Sequence, residues 1–257
     1  MATVIDLNAD LGEGVGDDAA LLSVVTSANI ATGAHAGGGA TLTATVRAAV
    51  EHGCAIGAHP SYRDRDSFGR ISLADRLSRA ELADDLAAQV LVVAVECERN
   101  GQPLAHVKAH GALYNDAAAD SRLAEAIVDG VATAQESLGY PLMVVGLPGS
   151  QLQHACERRG TGFRREAFAD RRYAGPTALV PRSAEGAVLV DPSAVAGQAF
   201  KIATGRPVTG IDGTEFVIEA DTICVHGDSP GAVAHARAVR DVLESAGVHV
   251  AAFSARA

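Results

Sequence analysis

The chain alternates between two hydrophobic patterns from one end to the other. Short segments with apolar residues at every second position predict strands, because successive side chains of a strand point to opposite faces. They cover residues 5–10, 27–32, 54–60, 106–110, 141–147, 162–170, 222–228 and 248–253. Segments with helical spacing predict helices over residues 17–27, 40–52, 72–100, 120–138, 151–159, 192–204 and 230–246. Strands that alternate with helices predict a parallel α/β fold.

Several of the predicted strands carry polar residues on one face near their carboxyl ends. In the first strand, Ile5 and Leu7 share one face, while Asp6, Asn8 and Asp10 share the other. Strands of an open doubly wound sheet are covered by helices on both faces and are hydrophobic throughout. Polar inward faces instead favour a barrel with its active site at the carboxyl ends of the strands. We therefore expect one domain over residues 1–257, a distorted seven-stranded (β/α) barrel.

Composition excludes several classes of partner. The 21 Lys and Arg residues against 31 Asp and Glu give a net charge of −10, which argues against a nucleic-acid groove or an anionic membrane surface. No apolar run approaches the ~18 residues of a membrane span, and residues 1–6 lack the basic start of a signal peptide. The four cysteines are scattered without a CxxC pair, which predicts free thiols and a cytoplasmic protein.

The segment from His106 to Asn115 carries the strongest chemical signal. As a strand running into a loop, it places His106, Lys108 and His110 on one face. Arginine supplies nearly all of the positive charge, and Lys108 is one of two lysines in the chain. Two histidines beside a rare lysine predict a functional site at this strand.

Acidic, basic and imidazole groups recur at the predicted strand ends, where a barrel would bring them together. Such groups offer proton transfer and a cation for developing negative charge. The catalytic candidates are Asp10, Glu13, His35, His59, Lys108, His110, Asp170, Arg171, His226 and Asp228. A carboxylate with two histidines suits zinc or manganese, and the metal candidates are Asp10, His35, His59 and His110.

Each candidate also has a purely structural explanation. Asp10 could cap the helix that follows it, and Asp228, ahead of Ser229 and Pro230, could cap the last helix. Asp170 could form an ion pair with Arg171. No Walker sequence occurs and no GxGxxG follows a strand, so no motif indicates nucleotide binding.

Motifs spread in order along nearly the whole chain resemble the LamB/YcsF family. The matching segments are DLNADLGE (residues 6–13), NIA with a following G and HAG (29–37), GAHPSY (57–62), FGR (68–70), VKAHGALYN (107–115), EAFADRRY (166–173) and CVHGD (224–228). The resemblance implies a seven-stranded barrel related to the glycoside hydrolase and deacetylase barrels. It also implies the activity of an ATP-dependent 5-oxoprolinase, which opens 5-oxo-L-proline to L-glutamate.

In that family the chain would act together with subunits B and C, and ATP would be bound and used through those partners; a homo-oligomer stays open. Under this hypothesis, a carboxylate or histidine among Asp10, His35, His59 and His110 activates water, while Lys108 and Arg171 hold anionic groups. The matched motifs add substrate-binding candidates, which are Asn8, Gly37, Tyr62, Arg70, Tyr114, Asn115 and Glu166.

The chain departs from the family pattern in its glycine-rich loop. Gly38 and Gly39 stand where the family has Asp and Pro, and Ala34 replaces an aromatic residue. A related lactam or another carboxylate amide therefore stays open as the substrate. Two other functions also stay open: a metal-dependent deacetylase or amidohydrolase, and a non-catalytic subunit that binds an organic acid or a carbohydrate.

Overall fold

Within the described residues, 3–228 and 231–253 of a computed structural model, seven parallel strands close into a barrel. The strands of the chain are β1 (Val4–Leu11), β2 (Ser27–Ala31), β3 (Ala55–His59), β4 (His106–Lys108), β5 (Met143–Gly146), β6 (Phe163–Phe168), β7 (Tyr173–Gly175), β8 (Ala178–Leu179), β9 (Val208–Thr209), β10 (Glu215–Phe216), β11 (Thr222–Val225) and β12 (His249–Val250). The barrel order is β1 to β6 and then β11, which pairs back onto β1 with Val225 beside Ala9. The expected seven-stranded barrel is confirmed.

The remaining strands lie outside the closed barrel. Two antiparallel hairpins, β7–β8 and β9–β10, follow β6 in the chain. The strand predicted over residues 248–253 is reduced to β12, which pairs in parallel with the beginning of β1.

Helices connect most of the barrel strands and pack against them. They are α1 (Asp18–Leu22), α2 (Gly39–Glu51), α3 (Arg79–Arg99), α4 (Gly111–Ala119), α5 (Ser121–Leu138), α6 (Gln151–Arg159), α7 (Pro192–Ala203) and α8 (Ala232–Ser245). Among these described helices, none has the length and apolar content of a membrane-crossing segment.

Two predicted helices are shorter than the hydrophobic pattern indicated. Helix α3 begins at Arg79 rather than near residue 72, because Ser78 and Glu81 form a capping box that starts the helix there. Residues 74–76 form a separate 3-10 turn. Helix α1 ends at Leu22 instead of residue 27, because the chain must turn before Ser27 enters β2.

The segment that follows β4 was predicted to be a loop, and this prediction is wrong. Strand β4 ends at Lys108, and helix α4 begins at Gly111 with His110 at its N-cap position. Gly111 has a φ of 58°, so the backbone turns sharply between strand and helix. The period-two pattern therefore stops two residues before His110.

The two proposed capping roles were also wrong. Asp17 caps α1, through a hydrogen bond from the Ala20 backbone N–H, so Asp10 is free to enter the barrel. Gly231 occupies the N-cap position of α8, and Asp228 binds arginines instead. The predicted start of this helix at Pro230 lies outside the described residues.

Strand β1 separates an apolar layer from a polar barrel interior. Ile5, Leu7 and Leu11 belong to the hydrophobic core that joins the strands to the helices. Asp6 and Asn8, which alternate with them, are 1% exposed and form hydrogen bonds to other barrel strands. The period-two alternation of the sequence thus becomes the inside and outside of the barrel.

Candidate active site

The carboxyl ends of the barrel strands surround a cavity of about 500 Å³. Its wall combines carboxylates, imidazoles and guanidinium groups with a few apolar side chains. The residues that line it are Asp10, Glu13, His59, Arg70, Lys108, Ala109, His110, Gly111, Ala112, Tyr114, Asn115, Phe168, Arg171, Leu179, Val180, Pro181, Arg182, Ser183, His226 and Asp228. A cavity of this size with convergent polar groups is typical of a small-molecule site.

Lys108 lines the cavity and is 2% exposed. Its Nζ lies 2.8 Å from Asp10 Oδ1, 2.8 Å from Glu166 Oε1 and 3.2 Å from Cys224 Sγ. Burial lowers the pKa of Lys108, but the charges of Asp10, Cys224 and Glu166 outweigh it and raise that pKa well above its ordinary value. The ammonium group is therefore charged and already balanced by two carboxylates.

Asp10 links this lysine to the histidines of the neighbouring strands. Its Oδ1 accepts a hydrogen bond from Asn29 Nδ2 at 2.8 Å, and its Oδ2 lies 3.4 Å from His59 Nε2. Burial raises the pKa of Asp10, but the positive charges of His59 and Lys108 outweigh it and hold that pKa well below its ordinary value. Asp10 is an ionised carboxylate held by three strands.

Four side chains beside Asp10 form a second cluster, which we call the histidine cluster: Glu13, His35, His59 and His110. Glu13 Oε1 lies 3.1 Å from His35 Nε2, 3.3 Å from His110 Nδ1 and 4.0 Å from His59 Nε2. The His59 and His110 rings are nearly perpendicular, at 88°, whereas His35 stacks on His110 at 3.7 Å. These residues lie at or beyond the ends of β1, β2, β3 and β4, which are adjacent around the barrel.

Burial and mutual repulsion set the protonation of the cluster. Burial, followed by the charges of His59 and His35, lowers the pKa of His110 to about 2. Burial also lowers the pKa of His35. For His59, burial lowers the pKa, but the Asp10 carboxylate outweighs it, so the pKa of His59 lies above its ordinary value. At neutral pH, His35 and His110 are neutral.

An Asp–His pair, Asp170 and His226, lies next to Asp10 at the same cavity. His226 Nδ1 lies 2.9 Å from Asp170 Oδ1, and its ring stacks on Phe168. Burial raises the pKa of Asp170, but the charge of His226 and its hydrogen bonds outweigh it and hold that pKa below its ordinary value. Asp170 thus pairs with His226 rather than with Arg171. Because Nδ1 is engaged, Nε2 is the nitrogen of His226 that can serve the cavity.

Arginines form the remaining wall. Arg171 is 7% exposed and donates from Nη2 to the Val180 backbone carbonyl at 2.7 Å. Its Nε has no hydrogen-bond partner among the described residues. Burial, together with the repulsion of Arg182, lowers the pKa of Arg171. Asp228 forms ion pairs with Arg182 at 2.8 Å and with Arg70 at 2.6 Å, and all three residues line the cavity.

The structure brings most of the catalytic candidates to one cavity. Asp10, Glu13, His59, Lys108, His110, Arg171, His226 and Asp228 line it, whereas His35 and Asp170 stand behind Glu13 and His226. Of the substrate-binding candidates, Arg70, Tyr114 and Asn115 line the cavity. The other four do not, because Asn8 and Glu166 lie beneath Lys108, Tyr62 binds Asp116, and Gly37 packs against Gly12.

Sequence reasoning missed several residues of the wall. Arg182 and Val180 lie between residues 170 and 192, where the hydrophobic pattern predicts neither a strand nor a helix, and Phe168 is one letter of a longer motif. The Phe68 backbone carbonyl accepts a hydrogen bond from His110 Nε2 at 3.0 Å. Among the described residues, Phe68 is the one non-glycine residue with a positive φ, 58°. No hydrophobic period marks Arg182, so the pattern along the chain gave no signal for it.

Comparisons with known proteins extend over the whole chain. The LamB/YcsF family matches residues 5–257. The A subunit of 5-oxoprolinase from Streptomyces avermitilis is 46% identical over 256 residues, which are 98% of this chain and 100% of that protein. The crystal structure of the lactam utilization protein from Thermus thermophilus has a TM-score of 0.88 at 39% identity and covers 97% of this chain and 99% of that one.

A more distant likeness bears on the fold alone. The family 4 carbohydrate esterase from Streptomyces lividans, in complex with acetate, has a TM-score of 0.55 at 10% identity. It covers 99% of this chain and 94% of that chain. The expected likeness to the deacetylase type of barrel is confirmed for the fold.

Proposed function

The chain belongs to the LamB/YcsF family, and from that premise we propose that it is the A subunit of an ATP-dependent 5-oxoprolinase. It cleaves the lactam ring of 5-oxo-L-proline to give L-glutamate, together with subunits B and C. The observation that carries the proposal is the cavity at the strand ends, which His226, paired with Asp170, lines together with His59 and His110. The name of the Streptomyces relative supports the substrate.

The reaction adds water to a resonance-stabilised amide. The water oxygen bonds to the ring carbonyl carbon, the ring C–N bond breaks, and the nitrogen takes up a proton. Phosphorylation of the lactam oxygen by ATP makes the carbon a better electrophile, and hydrolysis then releases phosphate. His226 suits proton transfer, because Asp170 fixes its tautomer and leaves Nε2 towards the cavity.

Arg171 is the group that we assign to the substrate carboxylate. It is a buried guanidinium whose Nε has no partner among the described residues, and its neighbour Arg182 adds positive charge. Guanidinium groups match carboxylates in a forked geometry. Lys108 was predicted to share this task, but two carboxylates already balance its charge. We therefore assign Lys108 to positioning Asp10.

In this proposal, ATP is bound and used by subunits B and C. The chain contains no GxxxxGK[ST] sequence, which supports a division of labour in which subunits B and C bind the nucleotide. The four cysteines are buried free thiols, which supports a reducing, cytoplasmic location.

The test is glutamate release from 5-oxo-L-proline by the chain with its candidate subunits B and C and ATP. We expect wild type to release glutamate and His226→Gln to lower kcat by about 10²- to 10⁴-fold, the usual contribution of a general acid or base. His154→Gln, which changes an exposed histidine of α6, is the matched control and should retain the wild-type rate.

Three outcomes would contradict parts of this proposal. A folded, assembled wild-type complex that releases no glutamate would exclude 5-oxo-L-proline as the substrate. An unchanged rate for His226→Gln would favour the non-catalytic binding role. Hydrolysis of an amide or acetyl group without ATP and partners would favour the metal-dependent amidohydrolase, for which the histidine cluster is the specific supporting feature.

A further inference from the structure

The tautomers of two cavity histidines are set by backbone carbonyls. His59 Nδ1 lies 2.8 Å from the Lys108 carbonyl, and His110 Nε2 lies 3.0 Å from the Phe68 carbonyl. A carbonyl oxygen only accepts hydrogen bonds, so both of these nitrogens carry a proton. With a single proton on each ring, the other nitrogen, Nε2 of His59 and Nδ1 of His110, presents a lone pair.

These two lone pairs point at each other. His59 Nε2 and His110 Nδ1 are 3.0 Å apart, a distance at which two unprotonated nitrogens repel. Only a cation between them, either a proton or a metal ion, turns this contact into an attraction. Glu13 Oε1 lies 3.3 Å from His110 Nδ1 and 4.0 Å from His59 Nε2, so a carboxylate faces the same point.

The three donor atoms have the spacing of a metal site. Their separations are 3.0, 3.3 and 4.0 Å. Tetrahedral zinc with bonds of ~2.0–2.1 Å places its ligand atoms about 3.3 Å apart. The His59 and His110 rings stand at 88° to each other, which allows one ion to lie in both ring planes.

His35 and Asp10 have other tasks in this arrangement. The His35 ring is parallel to His110 within 4°, so one ion cannot lie in both of those planes. His35 instead donates to Glu13 Oε1 and orients it. Asp10 is engaged by Lys108 and Asn29.

We propose that Glu13, His59 and His110 bind one divalent cation of the zinc class, with its open fourth position towards the cavity. All three residues line the cavity, and His35 does not. Two histidines, one glutamate and an open position form the ligand set of hydrolytic zinc sites. The proposal rests on donor geometry alone, so it holds or fails independently of the lactam reaction.

The groups behind these ligands support the assignment. Histidines that bind metals donate their second N–H to a carbonyl or carboxylate, which fixes the ring, and both His59 and His110 do so here. The positive φ of Phe68 is a strained conformation for a bulky residue. It holds the carbonyl that orients His110.

The main competitor is a group on the other side of Lys108. Asp10, Cys224 and His226 also lie close enough to share an ion. There, however, the Lys108 ammonium is 2.8 Å from Asp10 and 3.2 Å from Cys224, and its positive charge would repel a metal ion. The histidine cluster is the more favourable site.

The experiment measures metal binding by the isolated chain after chelation and removal of the chelator. We expect one Zn²⁺ per chain by elemental analysis, and visible Co²⁺ bands of four- or five-coordination on substitution. Glu13→Gln and His110→Asn should each weaken Zn²⁺ binding by more than about 100-fold. His35→Asn should weaken it by about 10- to 100-fold, as expected for a group that orients a ligand.

His226→Gln is the matched control, because it removes a histidine of the same cavity outside the proposed ligand set, and it should bind Zn²⁺ as wild type does. Thermal unfolding of each metal-free variant checks that the fold is intact. A wild-type chain that binds no metal, or wild-type affinity in Glu13→Gln and His110→Asn, would overturn the proposal. Loss of binding in His226→Gln would move the site to the competing group.

Discussion

At the scale of single residues, the two buried cations of the cavity differ in how their charge is balanced. Lys108 lies 2.8 Å from two carboxylates, whereas Arg171 has no carboxylate within ion-pair distance among the described residues. A buried charge without a partner is costly, so an anionic ligand gains more from Arg171. Both residues were predicted from sequence as anion-binding groups, and their environments distinguish them.

Replacement of Arg171 by Gln should raise KM for 5-oxo-L-proline by about 10- to 100-fold, the value of a charged hydrogen bond, with a smaller change in kcat. For 2-pyrrolidinone, the same ring without a carboxylate, KM should stay unchanged. Steady-state kinetics of the assembled complex measure both. An equal loss on the two lactams would show that Arg171 does not recognise the carboxylate.

Asp6, at the opposite end of the barrel interior, makes stability depend on pH. Burial raises the pKa of Asp6 from 3.8 to about 6, against hydrogen bonds from Ser27, Thr222 and Thr26 that lower it. The folded protein therefore binds this proton more tightly than the unfolded chain does. The contribution of Asp6 to stability is largest below pH about 4, falls as pH rises towards about 6, and is constant above.

Denaturation of wild type and Asp6→Asn between pH about 4 and 7 tests this. The free energy of unfolding of wild type should fall relative to that of the variant by about 2 kcal/mol across the window. Asp84→Asn, an exposed position of α3, is the matched control and should show no such difference. A constant difference between wild type and Asp6→Asn would contradict the raised pKa.

At the scale of elements, the connection from β4 to α4 determines where the site lies. Gly111 starts α4 with a positive φ, and a Cβ there would lie 2.5 Å from the Gly69 carbonyl. That carbonyl accepts the Ala112 backbone N–H at 2.9 Å, so the helix is tied to the loop that carries Phe68 and Arg70. The hydrophobic pattern predicted β4 correctly but missed α4. This short helix is apolar on most sides, so it shows no helical alternation of apolar and polar residues.

Gly111→Ala should destabilise the protein by more than Gly139→Ala does. Both positions have positive φ, but a Cβ at Gly139 meets nothing within 4 Å. Gly139→Ala should cost about 1–2 kcal/mol from the backbone alone, and Gly111→Ala should add about 1–3 kcal/mol from the clash. Chemical denaturation measures both. Equal losses would mean that the Gly69 contact is not tight.

At the scale of the whole molecule, the barrel encloses polar side chains whose ion-pair and hydrogen-bond partners lie on strands that only the closure of the barrel brings together. Lys108 of β4 meets Asp10 of β1, Glu166 of β6 and Cys224 of β11. These contacts join strands from opposite parts of the barrel. The ion pairs of Lys108 therefore contribute both to the stability of the barrel and to the arrangement of the residues that line the cavity.

Lys108→Met should lower the free energy of unfolding by about 3–5 kcal/mol, because it leaves two buried carboxylates without a cation. Adding Glu166→Gln should restore part of that loss. Lys201→Met, at the other lysine of the chain, should change stability by no more than about 0.5 kcal/mol. Denaturant titration of the variants measures this. A stability of Lys108→Met equal to wild type would contradict the proposed coupling.

The sequence by itself determined the alternation of strands and helices, the polar inward faces and the kinds of chemical group at the strand ends. These are local properties, because side-chain periodicity follows from backbone geometry over a few residues. Only the tertiary structure decided which groups meet. Asp10 and Lys108 are 98 residues apart in the chain, and the closure of the barrel pairs them. That pairing engages Asp10 with Lys108, leaves Glu13 beside His59 and His110, and leaves Arg171 without a carboxylate partner among the described residues.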